Sequence, residues 1–169
     1  MAKKMVAKKP SAKKEVAKKK ISPKPDRYLV LHGPNLNLLG TREPEVYGGM
    51  TLADLNGRLQ SYAKKEGFTI LVEQSNSEGD LIDILHECRT WAKGIVFNPG
   101  AYTHYSYALR DAVASIGIPT VEVHLSDIQK REDFRRISVI APVCLEQVSG
   151  LGFLSYIEGF KILRDRGLE

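Results

Sequence analysis

The chain has 169 residues, 43% hydrophobic and 27% charged, which suits one globular domain with a sizeable core and excludes a wholly disordered or fibrous chain. The formal charge of +5 does not belong to that domain: residues 1–26 hold ten Lys against Glu15 and Asp26, and the remainder holds 15 basic and 18 acidic residues. Cys88 and Cys144 fall in no Cys-x-x-Cys or Cys/His spacing, which suggests no zinc site and a cytoplasmic protein with reduced thiols, and no apolar run approaches the ~20 residues that span a bilayer.

Residues 1–26, "MAKKMVAKKPSAKKEVAKKKISPKPD", repeat an Ala-Lys-Lys unit. They lack the apolar centre of a secretory signal. Like charges repel and little apolar surface is present, so a disordered extension is expected. Such a tail could touch nucleic acid through phosphates, but a solvated extension is the preferred reading. A single catalytic domain then runs over residues 27–169.

From Arg27 the pattern alternates strand and helix. "RYLVLH" is a β-rich run, followed by a long polar loop, "HGPNLNLLGTREPEVYGGM". "TLADLNGRLQSYAKKEG" spaces Leu52, Leu55, Leu59 and Tyr62 as on a helix, with Thr51 to cap it and Gly67 to stop it. "FTILVEQ" is a strand. "SEGDLIDILHECRTWAKG" is a helix with Leu81, Ile84, Leu85, Cys88 and Trp91 on one face. "GIVFNPG" is a strand ending in a polar turn, "THYSYALRDAVASIG" a helix and "PTVEVHLS" a strand. After the loop "DIQKREDFRR", a fifth strand is expected in "ISVIAP" and a last helix in "LGFLSYIEGFKILRDRG".

This order predicts an α/β domain, a flavodoxin-like doubly wound five-stranded parallel sheet with helices on both faces. Ligands of such sheets sit beyond the carboxyl ends of the strands. Three polar clusters fall there: the opening loop, "NPGAYTH" and "EVHLSDIQKREDFRR".

The clusters carry no Walker lysine, no GxGxxG, no GxSxG and no metal-ligand His spacing. Acid–base chemistry with Tyr, His, Arg and Asn on an oxygen-rich small molecule remains. A guanidinium lowers the pKa of a nearby phenol, and Arg42 stands five residues before Tyr47, ahead of Gly48 and Gly49, in a loop able to close as a lid. Taken alone, the pair also reads as a surface Tyr packed on a loop Arg. Asn35, behind Gly33 and Pro34, could hold a water or a developing oxyanion, with Asn37 the better turn former of the two. Asn98 either ends its strand or donates to a carboxylate or hydroxyl. Glu122 and His124 share one face of a strand, which suits a carboxylate-oriented general acid or a structural charge pair. His104 reads as a helix cap or a substrate donor. Arg135 is preferred over Arg136 for an inward role.

"HGPNLNLLGTREPEVYGGMTL", "NPGAYTHYSYALRDA", "PTVEVHLSDIQKREDFRRISVIAP" and "GLGFLSYIEGF" together resemble type II 3-dehydroquinate dehydratase, in order over about residues 28–165. The resemblance implies dehydration of 3-dehydroquinate to 3-dehydroshikimate, an anti elimination through an enolate in the shikimate pathway, with no metal and no cofactor. It implies Tyr47 as base, Arg42 as its activator, His124 as acid held by Glu122, and Asn35 positioning a water at the enolate oxygen. It assigns the substrate carboxylate and neighbouring hydroxyl to Asn98 with the backbone of Leu125 and Ser126, and the ring hydroxyls to His104 and Arg135. Asp111 would reach a neighbouring subunit's site in a dodecamer of trimers. The alternative is a flavodoxin-like small-molecule or nucleotide binding module whose basic tail tethers nucleic acid; the first strand ends in His32-Gly33 rather than the Asp a response-regulator-type domain would need.

Overall fold

Alternation along the first strand decides both layers of the molecule. In β1 (Arg27–His32), Tyr28 and Val30 point to one face and Leu29 and Leu31 to the other, all of them buried. The computed structural model describes residues 25–41 and 49–166; the tail to residue 24, and residues 42–48 with Arg42 and Tyr47, lie outside the described residues. The expected disordered extension therefore falls outside them for all but its last two residues.

The elements follow in chain order as α1 (Leu52–Glu66), β2 (Thr69–Gln74), α2 (Glu78–Cys88), β3 (Gly94–Asn98), α3 (Tyr107–Ile116), β4 (Thr120–His124), β5 (Glu146–Ser149) and α4 (Leu154–Arg166). The strands are parallel in the order β2-β1-β3-β4-β5, the flavodoxin-like order that the alternation predicts. β1 lies between β2 and β3, with Val30 in register with Val72 and Val96.

One core layer joins Tyr28, Val30, Val96, Val121 and Val123 to Leu55 and Leu59 of α1 and to Tyr156, Phe160 and Leu163 of α4. The opposite layer joins Leu29, Leu31, Ile95 and Phe97 to Leu81 and Leu85 of α2 and Leu109 and Val113 of α3. α1 starts and stops where its sequence says it should. The Thr51 hydroxyl accepts the Asp54 N–H at 3.1 Å, the Asp54 carboxylate accepts the Thr51 N–H at 3.0 Å, and Gly67 ends the helix at φ 80°.

Three local expectations need correction. The apolar run 137–142 is not a strand; the fifth strand is Glu146–Ser149. Ser138 Oγ accepts the N–H groups of Ile140 and Ala141, at 3.1 and 2.8 Å, and the chain turns into a short 3-10 segment, Ala141–Val143. His104 does not cap α3: it ends a 3-10 segment, Gly100–His104, and the cap is Ser106, whose hydroxyl accepts the Leu109 N–H at 2.9 Å. In the first loop it is Asn35, not Asn37, that turns the chain, with φ 65°; Asn tolerates that left-handed region better than most residues.

Candidate active site

The carboxyl ends of β1, β3 and β4 meet around one pocket, whose wall includes Asn35, Asn98, His124, Leu125, Ser126 and Arg135. The pocket floor is two stacked loops. The Gly33 N–H donates to the Asn98 carbonyl at 2.7 Å. A Cβ on Gly33 would lie 2.6 Å from the carbonyl carbon and oxygen of Pro99, so the approach requires glycine. Gly100 is equally constrained, at φ +57° with Pro34 O 3.1 Å from where its Cβ would be.

Asn35 is held from outside its own loop. Its N–H donates to Asn76 Oδ1 at 2.9 Å, and that same oxygen accepts Gln74 Nε2 at 3.0 Å. Its side chain makes no cap hydrogen bond, and it stands on the pocket wall beside Leu36 and Leu39.

Glu122 and His124 sit on β4, an interior strand, on the face opposite Val121 and Val123. His124 Nε2 lies 2.6 Å from Glu122 Oε1. Glu122 is fully buried and accepts three more hydrogen bonds, from Thr103 Oγ1 at 2.6 Å, Gln147 Nε2 at 2.8 Å and Ser138 Oγ at 2.8 Å. Burial alone would raise its pKa; the hydrogen bond and charge of His124, with the Thr103 and Gln147 donors, outweigh burial, and the pKa is lowered. The carboxyl is therefore an anion that fixes the imidazole's orientation.

His104 Nδ1 lies 2.8 Å from the Ile137 carbonyl, so Nδ1 carries the proton. Its Nε2 is buried with no hydrogen-bond partner among the described residues. Burial lowers the pKa of this ring, the Ile137 bond raises it, and the nearby His124, Arg131 and Arg135 lower it further. His104 is thus a neutral imidazole with an unused acceptor.

Among the described residues the wall carries two arginines, Arg131 and Arg135, and no acidic side chain. Arg135 pairs with Glu132 at 3.4 Å, whereas Arg136 faces away to Asp133 at 3.0 Å and the Arg131 carbonyl at 2.7 Å. Arg131 donates to Ser126 Oγ. The basic wall selects an anionic ligand. Asp111 is exposed on α3 and is not part of the wall. Among the described residues no group of His, Cys, Asp and Glu is placed to hold a metal ion.

Behind Asn98 runs a buried set that sequence reasoning missed. Asn98 Nδ2 donates to Tyr156 Oη at 2.9 Å, Tyr156 Oη lies 3.0 Å from His32 Nδ1, and His32 Nε2 lies 2.9 Å from Asn56 Oδ1. Burial pushes the His32 pKa down to about 4, the Asn56 bond pulling the other way. The phenol of Tyr156 is raised by burial and eased by the Asn98 bond. Thr103, Ser138 and Gln147 were missed too; Thr103 falls inside a polar cluster, but Ser138 lies in the apolar run 137–142 and Gln147 has no signal in the sequence.

The model of the family Dehydroquinase class II matches residues 26–164. The chain is 59% identical over 131 residues to the 3-dehydroquinate dehydratase of Pelotomaculum thermopropionicum, covering 78% of this chain and 91% of that protein. It is 57% identical over 135 residues to the 3-dehydroquinate dehydratase of Bacillus pumilus, covering 80% and 89%. Its structure is similar to the type II dehydroquinase of Butyrivibrio crossotus, with a TM-score of 0.81 at 45% identity over 83% of this chain and 98% of that one. It is also similar to the type II dehydroquinase of Propionibacterium acnes, with a TM-score of 0.78 at 35% identity over 88% and 100%.

Proposed function

The chain belongs to the class II dehydroquinase family, and from that premise we propose how its residues divide the reaction between them. The enzyme is a lyase that removes water from 3-dehydroquinate to give 3-dehydroshikimate in the shikimate pathway.

The proton to be removed lies beside a ketone and is weakly acidic, so the reaction needs a strong base and a stabilised enolate. Tyr47 is the base, as phenolate, and Arg42 keeps it ionised at neutral pH. Asn35 holds the water that donates to the enolate oxygen. His124 then protonates the departing hydroxyl through Nδ1, its Nε2 being engaged by Glu122 at 2.6 Å. Asn98 and the backbone of Leu125 and Ser126 take the substrate carboxylate and neighbouring hydroxyl, and His104 and Arg135 take ring hydroxyls. The observation that carries this reading is the buried Glu122–His124 pair opening onto a wall that includes Arg131 and Arg135. It supplies a proton donor next to a site for an anion.

Residues 1–26 are proposed as an extension and 27–169 as the catalytic domain, supported by a family match that begins at residue 26. A cytoplasmic, dodecameric assembly of trimers is proposed with it. In that assembly Asp111, exposed on α3, would enter a neighbour's site. No described helix is long and apolar enough to cross a membrane.

The test follows enone absorbance on adding 3-dehydroquinate. Wild-type protein turns over, and Tyr47→Phe loses roughly 10³-fold or more in kcat while still binding substrate. Equal rates in the two proteins would remove Tyr47 from the mechanism.

A further inference from the structure

Amide side chains can present oxygen or nitrogen to a ligand, and the choice decides whether an anion is attracted or repelled. For Asn98 the direction of the bonds behind it can be worked out from one backbone N–H at its own end and one side-chain oxygen, Asn56 Oδ1, at the other. The Gly100 N–H can only donate, and it lies 3.2 Å from Asn98 Oδ1. Oδ1 is therefore the acceptor, and Nδ2 faces Tyr156 at 2.9 Å. At the far end Asn56 Oδ1 can only accept, so His32 Nε2 carries the ring proton and donates to it at 2.9 Å. Nδ1 of the neutral ring is then an acceptor, and Tyr156 Oη, which accepts the Asn98 N–H, donates its own proton to it at 3.0 Å. With Asn56 Oδ1 facing the ring, reversing the Tyr156–His32 bond would set a bare Nε2 against that oxygen, two acceptors face to face. His32 and Tyr156 are fully buried and Asn98 is 4% exposed, so water is not at hand to repair a reversal.

We propose that Tyr156 and His32 are positioning residues that lock the Asn98 carboxamide with its remaining N–H toward the pocket, making Asn98 a donor reserved for the carboxylate of the substrate. The relay starts on α1, passes through β1 and α4 and ends on β3, so three elements of the core set the orientation of one amide at the site. The inference rests on the assignment of Asn98 to the substrate carboxylate.

The experiment is a double-mutant cycle of Asn98→Ala and Tyr156→Phe, with kcat, KM and thermal midpoint read for each protein. Tyr156→Phe keeps the buried ring and removes the hydroxyl. It is expected to raise KM about tenfold with kcat changed less than about threefold, since ground-state binding of the carboxylate is what is lost. In the Asn98→Ala background the same substitution changes KM by less than about twofold. Asn56→Ala, at a half-buried helix position, frees the His32 tautomer and shows the same dependence on Asn98 with a smaller rise in KM; it decides the matter if Tyr156→Phe does not fold. Effects that multiply in the double variants, or a fall in kcat with KM unmoved, would overturn the relay. An Asn98→Ala protein with unchanged KM would instead overturn the assignment of Asn98 on which the relay rests.

Discussion

His32 shows what one buried ring costs as pH changes. Its folded pKa, about 4, lies below the ordinary histidine value of 6.5, so the folded state resists its protonation. The stability this contributes is present above the unfolded pKa and is lost as pH falls from about 6.5 towards 4. Unfolding free energy should drop by on the order of 3 kcal/mol across that window, and His32→Gln should flatten the profile; chemical denaturation at a series of pH values measures both. Glu122, also depressed, adds a second loss at lower pH, as the carboxyl is protonated through its folded pKa. Glu122→Gln puts an amide N–H among four donors, and should lower kcat by on the order of a hundredfold and stability by about 1–3 kcal/mol; an unchanged kcat would show that His124 needs no anion behind it. Much of the pocket lining was readable at this scale, because Asn98 and His124 end β3 and β4 and Arg135 lies in the loop after β4, where a parallel sheet puts its ligands. The relay was not, since His32 and Tyr156 are 124 positions apart and each alone reads as an ordinary core residue.

Elements divide according to how much of their structure is local. The capping box at Thr51 is written in four consecutive residues, and Thr51→Ala should cost about 1 kcal/mol in thermal or chemical unfolding with kcat unaffected. The α1, α2 and α3 helices could be read from apolar spacing because each buries a distinct stripe, and the first four strands from short apolar runs. β5 could not. Its four residues include one apolar side chain, Val148, so it leaves no apolar run to read. The apolar run before it was read as strand instead. Within that run Ile140 is fully buried and Ile137 is 67% exposed, because Ser138 collects two backbone donors and turns the chain. The Gly33 contact with Pro99 likewise has no periodic signature. Gly33→Ala forces two backbones apart and should lower the melting temperature by several degrees, as expected for a loss of about 1–3 kcal/mol; an unshifted midpoint would mean the loops separate freely.

At the scale of the whole molecule, the basic balance and the chemistry belong to different parts of the chain. The domain is anchored from Asp26 on: its carbonyl accepts the Thr69 N–H at 2.9 Å and its carboxylate meets Lys93 at 3.0 Å. Removing residues 2–24 should therefore leave kcat/KM within about twofold, while a tenfold loss would give the tail a part in turnover. Light scattering on the full chain should report twelve subunits if the proposed assembly is right, and a monomeric mass with full activity would refute the role given to Asp111. Fold class was the most legible property of all, because a strand–helix alternation leaves few ways to wind a parallel sheet.

The stacked floor under Asn35 and Asn98 limits how the enzyme could be re-engineered. Backbone meets backbone there with no side chain to trim, so truncating mutations on that side create no room for a bulkier acid. Variants selected for larger, more branched compounds should gather their changes at Leu36 and Leu39, whose side chains line the same pocket and can lose methyl groups without parting the strand ends.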